Sequence, residues 1–115
     1  MEIGIDLEEI ERFKNFDDKK LQRIFTENEI NYARKFVNCE KNFCAMWCVK
    51  EAVIKVFSNK TINFKDIEVM HTENGKPYIV KNEIILNELI KNNCTEIKIS
   101  ISHSKTHSTA VCLIY

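Results

Sequence analysis

From Phe43 to Phe57 the chain reads FCAMWCVKEAVIKVF, a run without Gly or Pro in which only Lys50, Glu51 and Lys55 are not apolar. This pattern predicts a helix of about four turns with apolar residues on all sides, and so a helix at the centre of the fold. Ahead of it, a short alternating strand over residues 2–5 gives way to Leu7, Ile10, Phe13 and Phe16, whose spacing predicts a helix. A shorter helix is expected over residues 17–24. Another is expected from Thr26 to about Val37, where Thr26 and Glu29 make a capping-box pattern with Phe25 and Ile30 as its staple. Residues 38–41 form the polar break before the central helix.

After Phe57 the period changes. Residues 58–61 read as a turn, and Phe64, Ile67 and Val69 mark a strand. Glu73-Asn74-Gly75-Lys76 is a hairpin signal, with residues 77–80 as the return strand. A helix follows over residues 82–92 through Ile85, Leu86, Leu89 and Ile90. Residues 95–102 alternate strictly, with Ile97, Ile99 and Ile101 on one face, and a polar turn at residues 103–107 leads into a last apolar strand over 109–115. The expected class is α+β: a helical N-terminal half whose long central helix packs on a mainly antiparallel sheet. A chain of 115 residues is expected to form a single domain, residues 1–115.

Seventeen basic and seventeen acidic residues cancel, which argues against a nucleic-acid binder working through a broad basic surface. No apolar run approaches the roughly 18 residues of a membrane span, and the N-terminus lacks the basic-then-apolar pattern of a leader, so no membrane association and a cytoplasmic location are expected. Five cysteines, an odd number without a C-x-x-C pair, suit a reducing compartment. Cys44 with Cys48 and His103 with His107 have a spacing that zinc could use. Packing accounts better for cysteines on an apolar helix, and the histidines fall in a turn.

Glu51 and Lys55 lie one turn apart on one edge of the central helix. They read either as an i,i+4 ion pair, worth about 0.3–0.5 kcal/mol, or as one carboxylate of a magnesium site with a lysine for phosphate charge. The second reading requires another carboxylate fixed at the edge of the core. Asp6, at the predicted end of the first strand, is either a helix cap in a box with Glu9 or that ligand.

Taken in order, GID followed by Arg12, WCVKEAVIKVF, FKDIEV, ENGKPYI and ISISHSKTH resemble the holo-acyl-carrier-protein synthases of the 4′-phosphopantetheinyl transferase superfamily. The resemblance covers nearly the whole chain and matches the short, single-copy members. It implies transfer of the phosphopantetheine arm of coenzyme A to a serine of apo-acyl carrier protein, leaving adenosine 3′,5′-bisphosphate, with magnesium as cofactor. The alternative is a divergent member that binds coenzyme A or a carrier protein and transfers poorly. Asp6 and Glu51 match the family's metal-binding carboxylates and Lys55 its pyrophosphate lysine, while Lys50 is given a supporting role.

The resemblance also implies a homotrimer with its sites between subunits, so that Asn74, Gly75, Pro77 and His103 reach a neighbour's coenzyme A. His103 would there bind a phosphate or help move the serine proton. Arg12, with Lys19 and Arg23, would face the acidic carrier, on a front where Glu8, Glu9, Glu11, Glu27 and Glu29 surround it. Two departures stand out: Met46 occupies a position where the family often has arginine, and the Ser58-Asn59-Lys60 loop is short and lacks glycine.

Overall fold

The computed structural model describes residues 1–115. Strand β1 (Glu2–Glu9) runs into a 3-10 turn at Ile10–Phe13, and helices α1 (Asp18–Ile24) and α2 (Glu27–Ala33) precede the long helix α3 (Cys39–Phe57). A second 3-10 turn (Phe64–Asp66) leads to β2 (Val69–His71), β3 (Pro77–Ile79), α4 (Glu83–Lys91), β4 (Ile97–His103) and β5 (His107–Ile114). One antiparallel sheet has the order β1-β5-β4, and β2 with β3 forms a separate hairpin. The class is α+β, with α3 against the inner face of the larger sheet. Ala52, Val53 and Val56 of α3 share one apolar cluster with Ala110, Cys112 and Ile114, the inward positions of β5.

Several boundaries differ from the sequence pattern, each for a tertiary reason. The helix expected over residues 7–16 is instead β1 extended to Glu9, because β5 offers a backbone ladder as far as the Glu9–His107 pair. Ile10 and Phe13 still reach the core from the 3-10 turn, but Leu7 points outward. Asp6 is therefore a mid-strand residue and not a helix cap. Helix α2 keeps its capping box at Thr26 and Glu29 but stops at Ala33, short of Val37, which is fully exposed and has no core to meet. The polar break falls correspondingly earlier, and residues 39–41 form the first turn of α3. Phe64 lies in a 3-10 turn rather than a strand, with its ring packed 4.9 Å from that of Trp47.

The second cap residue of that box does more than cap. Glu29 is completely buried, and its Oε1 accepts from the Thr26 amide at 2.8 Å and pairs with Lys50 Nζ at 2.8 Å, while its Oε2 accepts from the Val69 amide at 2.8 Å. Lys50 also donates to the carbonyls of Phe64 (2.8 Å) and Ile67 (2.5 Å), so each of its three protons has an acceptor. Burial lowers the Lys50 pKa and the charge of Glu29 opposes that shift. The pair ties α2, α3 and the start of β2 together at a point where α3 has no room for an unpaired charge.

On its other side α3 meets β1 at Gly4. A Cβ there would lie 2.3 Å from the carbonyl oxygen of Ala52 and 3.0 Å from the amide nitrogen of Val56, both helix backbone atoms that cannot rotate away. Gly4→Ala should accordingly lower stability by about 1–3 kcal/mol in urea unfolding, as overpacking does. An unchanged urea midpoint would contradict the close approach.

Candidate functional site

Beyond Gly4, the inward side of β1 carries Asp6 and Glu8. Asp6 is held from both sides: Thr109 Oγ1 donates to its backbone carbonyl at 2.7 Å, and Lys55 Nζ donates to Oδ1 at 3.0 Å while also donating to the Ile5 carbonyl at 2.9 Å. The other carboxylate oxygen, Oδ2, is buried and accepts no well-formed hydrogen bond, although the Cys48 thiol lies close to the Asp6 side chain. Half-buried Glu51 lies close enough to feel this charge. Its pKa is raised above the usual carboxylate value, first by burial and then by Asp6, with Lys55 and Arg12 pulling the other way. Lys55 thus forms its ion pair with Asp6 across to the strand and not with Glu51 along the helix, which corrects the simpler i,i+4 reading.

An open groove of about 610 Å³ lies beside these groups, lined by Glu51, Ile54, Lys55, Ser58, Lys60 and Phe64. The lack of glycine in its loop does not prevent a tight turn. Ser58 itself takes the left-handed conformation, at φ 53°, that glycine usually supplies after a helix. Gly75, Pro77 and His103 are not in this groove. They line a separate hollow of about 240 Å³ together with Met46, Lys41 and His71, and Asn74 is exposed in the adjoining turn, where Gly75 has φ 82°. Within one chain the residues picked out by the sequence therefore fall on two surfaces. Met46, where the resemblance led to the expectation of an arginine, is buried against the second hollow, whose lysine is Lys41.

Arg12 is exposed in the 3-10 turn after β1, with its guanidinium 2.5 Å from Glu8 and 4.8 Å from the Trp47 ring centre. Glu29 does not belong to the acidic surface around Arg12, since it is buried with Lys50. Nothing in the sequence identifies Glu29 as the partner of Lys50. The available signal was the position of Lys50 in an otherwise apolar helix, where a charge must be paired.

One carboxylate, Glu51, and two lysines, Lys55 and Lys60, line the groove, and Asp6 lies behind Lys55 with one carboxylate oxygen buried and unpartnered. No group of three or more His, Cys, Asp or Glu side chains is arranged so that it could hold a metal ion by itself. A cation held by Asp6 and Glu51 would complete its shell with water and ligand oxygens, which is how magnesium binds with phosphates. The thiols of Cys44 and Cys48 are turned to the Glu8 carbonyl (3.5 Å) and the Ser108 carbonyl (3.4 Å).

Residues 2–112 match the sequence pattern of the 4′-phosphopantetheinyl transferase superfamily. The chain is 36% identical to a holo-[acyl-carrier-protein] synthase of Aquifex aeolicus, over 97% of this chain and 96% of that one. It is 38% identical to that of Caldicellulosiruptor saccharolyticus, over 96% and 93%. In structure it is similar to a holo-(acyl-carrier-protein) synthase of Bacillus anthracis in complex with CoA (3′,5′-ADP), with a TM-score of 0.80, 30% identity and coverage of 98% and 94%. It is also similar to the Helicobacter pylori synthase in complex with coenzyme A, with a TM-score of 0.82, 25% identity and coverage of 98% and 99%.

The electrostatics of Glu51 make a prediction about stability. Its folded pKa lies above the unfolded value, so the ionised carboxylate costs stability at neutral pH, and the cost disappears as the pH falls below the usual glutamate range. Without divalent ions, Glu51→Gln should melt higher than the wild type at neutral pH, with the gap closing in acid. Millimolar magnesium should raise the melting temperature of the wild type and leave that of the variant unmoved. A variant that melts lower at neutral pH, or that gains equally from magnesium, would contradict this electrostatic account.

Proposed function

The chain belongs to the holo-[acyl-carrier-protein] synthases of the 4′-phosphopantetheinyl transferase superfamily, and on that premise we propose that it moves the 4′-phosphopantetheine arm of coenzyme A onto a serine hydroxyl of an apo-acyl carrier protein, releasing adenosine 3′,5′-bisphosphate. The observation that carries this reading is Asp6, bound to Lys55 and charged against Glu51, next to a groove lined by Glu51, Lys55 and Lys60. The Bacillus anthracis and Helicobacter pylori relatives with bound coenzyme A support the choice of donor. Magnesium held by Asp6 and Glu51 would neutralise charge on the pyrophosphate as the serine oxygen attacks phosphorus and the bisphosphate leaves. The unpartnered Asp6 Oδ2 and the like-charge strain on Glu51 fit that cation.

The chain's own residues do the remaining work. Lys55 orients Asp6 and presents its ammonium group at the groove, and Lys60 adds a second positive charge at the groove wall. Arg12, Lys19 and Arg23 form the front that meets an acidic carrier. Asn74, Gly75, Pro77 and His103, on a separate surface of the chain, act on coenzyme A held by the neighbouring subunit of a homotrimer. Support for that assembly comes from the outer face of the larger sheet. Ile3, Ile5 and Leu7 of β1 are exposed there, opposite Leu113, Val111 and Thr109 of β5, and no element of the chain covers the strip.

Incubation of the protein with coenzyme A, magnesium and an apo-carrier should add a single phosphopantetheine to the carrier by mass, and Glu51→Gln should slow this by about 10²–10³. No added mass with any of several carriers would favour the binding-only alternative. The shared site has its own test. Glu51→Gln and His103→Ala chains, each impaired alone, are refolded together in equal amounts. In a cyclic trimer with head-to-tail interfaces roughly one site in four recovers both intact residues. Mixed trimers seen by native mass spectrometry without recovered activity would refute the split site.

A further inference from the structure

We propose that Glu88 of α4 is a positioning residue for the phosphate groove, acting through Asn59 on the turn that carries Ser58 and Lys60. The inference rests on the reading of that groove as the pyrophosphate site. Glu88 is 5% exposed, on the inner side of α4 between Ile85 and Leu89. Its Oε1 accepts from Asn59 Nδ2 at 2.5 Å, and its only cation, the exposed Lys91, is farther off at 3.6 Å. The other end of the Asn59 amide is also engaged, because Oδ1 accepts from the Thr61 amide at 3.0 Å and the Thr61 hydroxyl at 2.6 Å. The turn has no glycine or proline to set its shape, and Ser58 holds a left-handed conformation within it.

The energetics favour a positioning role over a purely structural one. Packing alone does not call for a carboxylate here, because a leucine between Ile85 and Leu89 would extend the core with no polar group to satisfy. In return, Glu88 gives Asn59 one orientation. The two residues on either side of Asn59, Ser58 and Lys60, both line the groove and are thereby fixed before any ligand arrives.

A double-mutant cycle between Glu88 and Lys60 tests this on the full chain, with coenzyme A affinity measured by titration calorimetry in millimolar magnesium. Glu88→Leu and Lys60→Ala should each weaken binding about tenfold, and the double variant should also lose about tenfold rather than about a hundredfold, because both changes remove the same positioned charge. Glu88→Gln keeps a carbonyl acceptor for Asn59 and should bind within about twofold of the wild type. Additive losses, or a Glu88→Leu chain that changes melting temperature but not affinity, would overturn the proposal. Should Glu88→Leu fail to fold, the cycle of Asn59→Ala with Lys60→Ala probes the same coupling from the surface side of the contact: non-additive losses support it and additive losses overturn it. A wild type that binds coenzyme A but transfers nothing counts against the proposed function and leaves the cycle's result on Glu88 standing. A wild type that binds none overturns both.

Discussion

The buried pair of Lys50 and Glu29 fixes the rotation of α3, and the rest of the structure depends on that rotation. With Lys50 held by one carboxylate and two carbonyls on the α2 side, the next residue, Glu51, must point about 100° around the helix, toward the groove. Gly4 then sets the distance. Because β1 lies directly against the backbone of α3, Asp6, two residues further along the strand's inward side, arrives beside Glu51 and Lys55. Rotation and distance come from different parts of the chain, and both are needed for the two carboxylates to meet.

Neighbouring charges on one helix have different roles because their surroundings differ. Lys50 gives up water entirely and is compensated by fixed acceptors, so it is a structural cation. Lys55 stays in contact with solvent and crosses to a strand carboxylate, leaving its ammonium near an open groove. Glu51 is half-buried next to another acid, an arrangement that is costly without a cation and favourable with one. Beyond the last turn of α3, Glu88 and Asn59 hold the glycine-free loop in place.

The sequence disclosed what local pattern controls. The central helix was legible because a run apolar on all sides is buried whichever way it turns, and the Thr26–Glu29 box and the Asn74-Gly75 hairpin formed where their side chains and backbone freedom require. The full length of β1 was not legible, because Leu7, Ile10, Phe13 and Phe16 do carry helical spacing and the competing ladder lies on β5 at the far end of the chain. Asp6, Glu51 and Lys55 could be picked out as residues, but not the fact that Lys55 turns to Asp6. The partner of Lys50 stayed hidden because a charge in an apolar helix announces that it is paired without saying with what, and the burial of Glu88 had no signal in the sequence at all.

The central claim is that β1 and α3 together build a divalent-cation site from Asp6 and Glu51. It is tested most directly by titrating manganese(II), as a paramagnetic substitute for magnesium, into the wild type and into Asp6→Asn in the presence of coenzyme A, and following free manganese by electron paramagnetic resonance. Asparagine preserves the size of the side chain and the strand, so the comparison isolates the carboxylate charge. The account predicts stoichiometric uptake by the wild type and an affinity at least about tenfold weaker in the variant. Equal manganese affinity in the two proteins would contradict it.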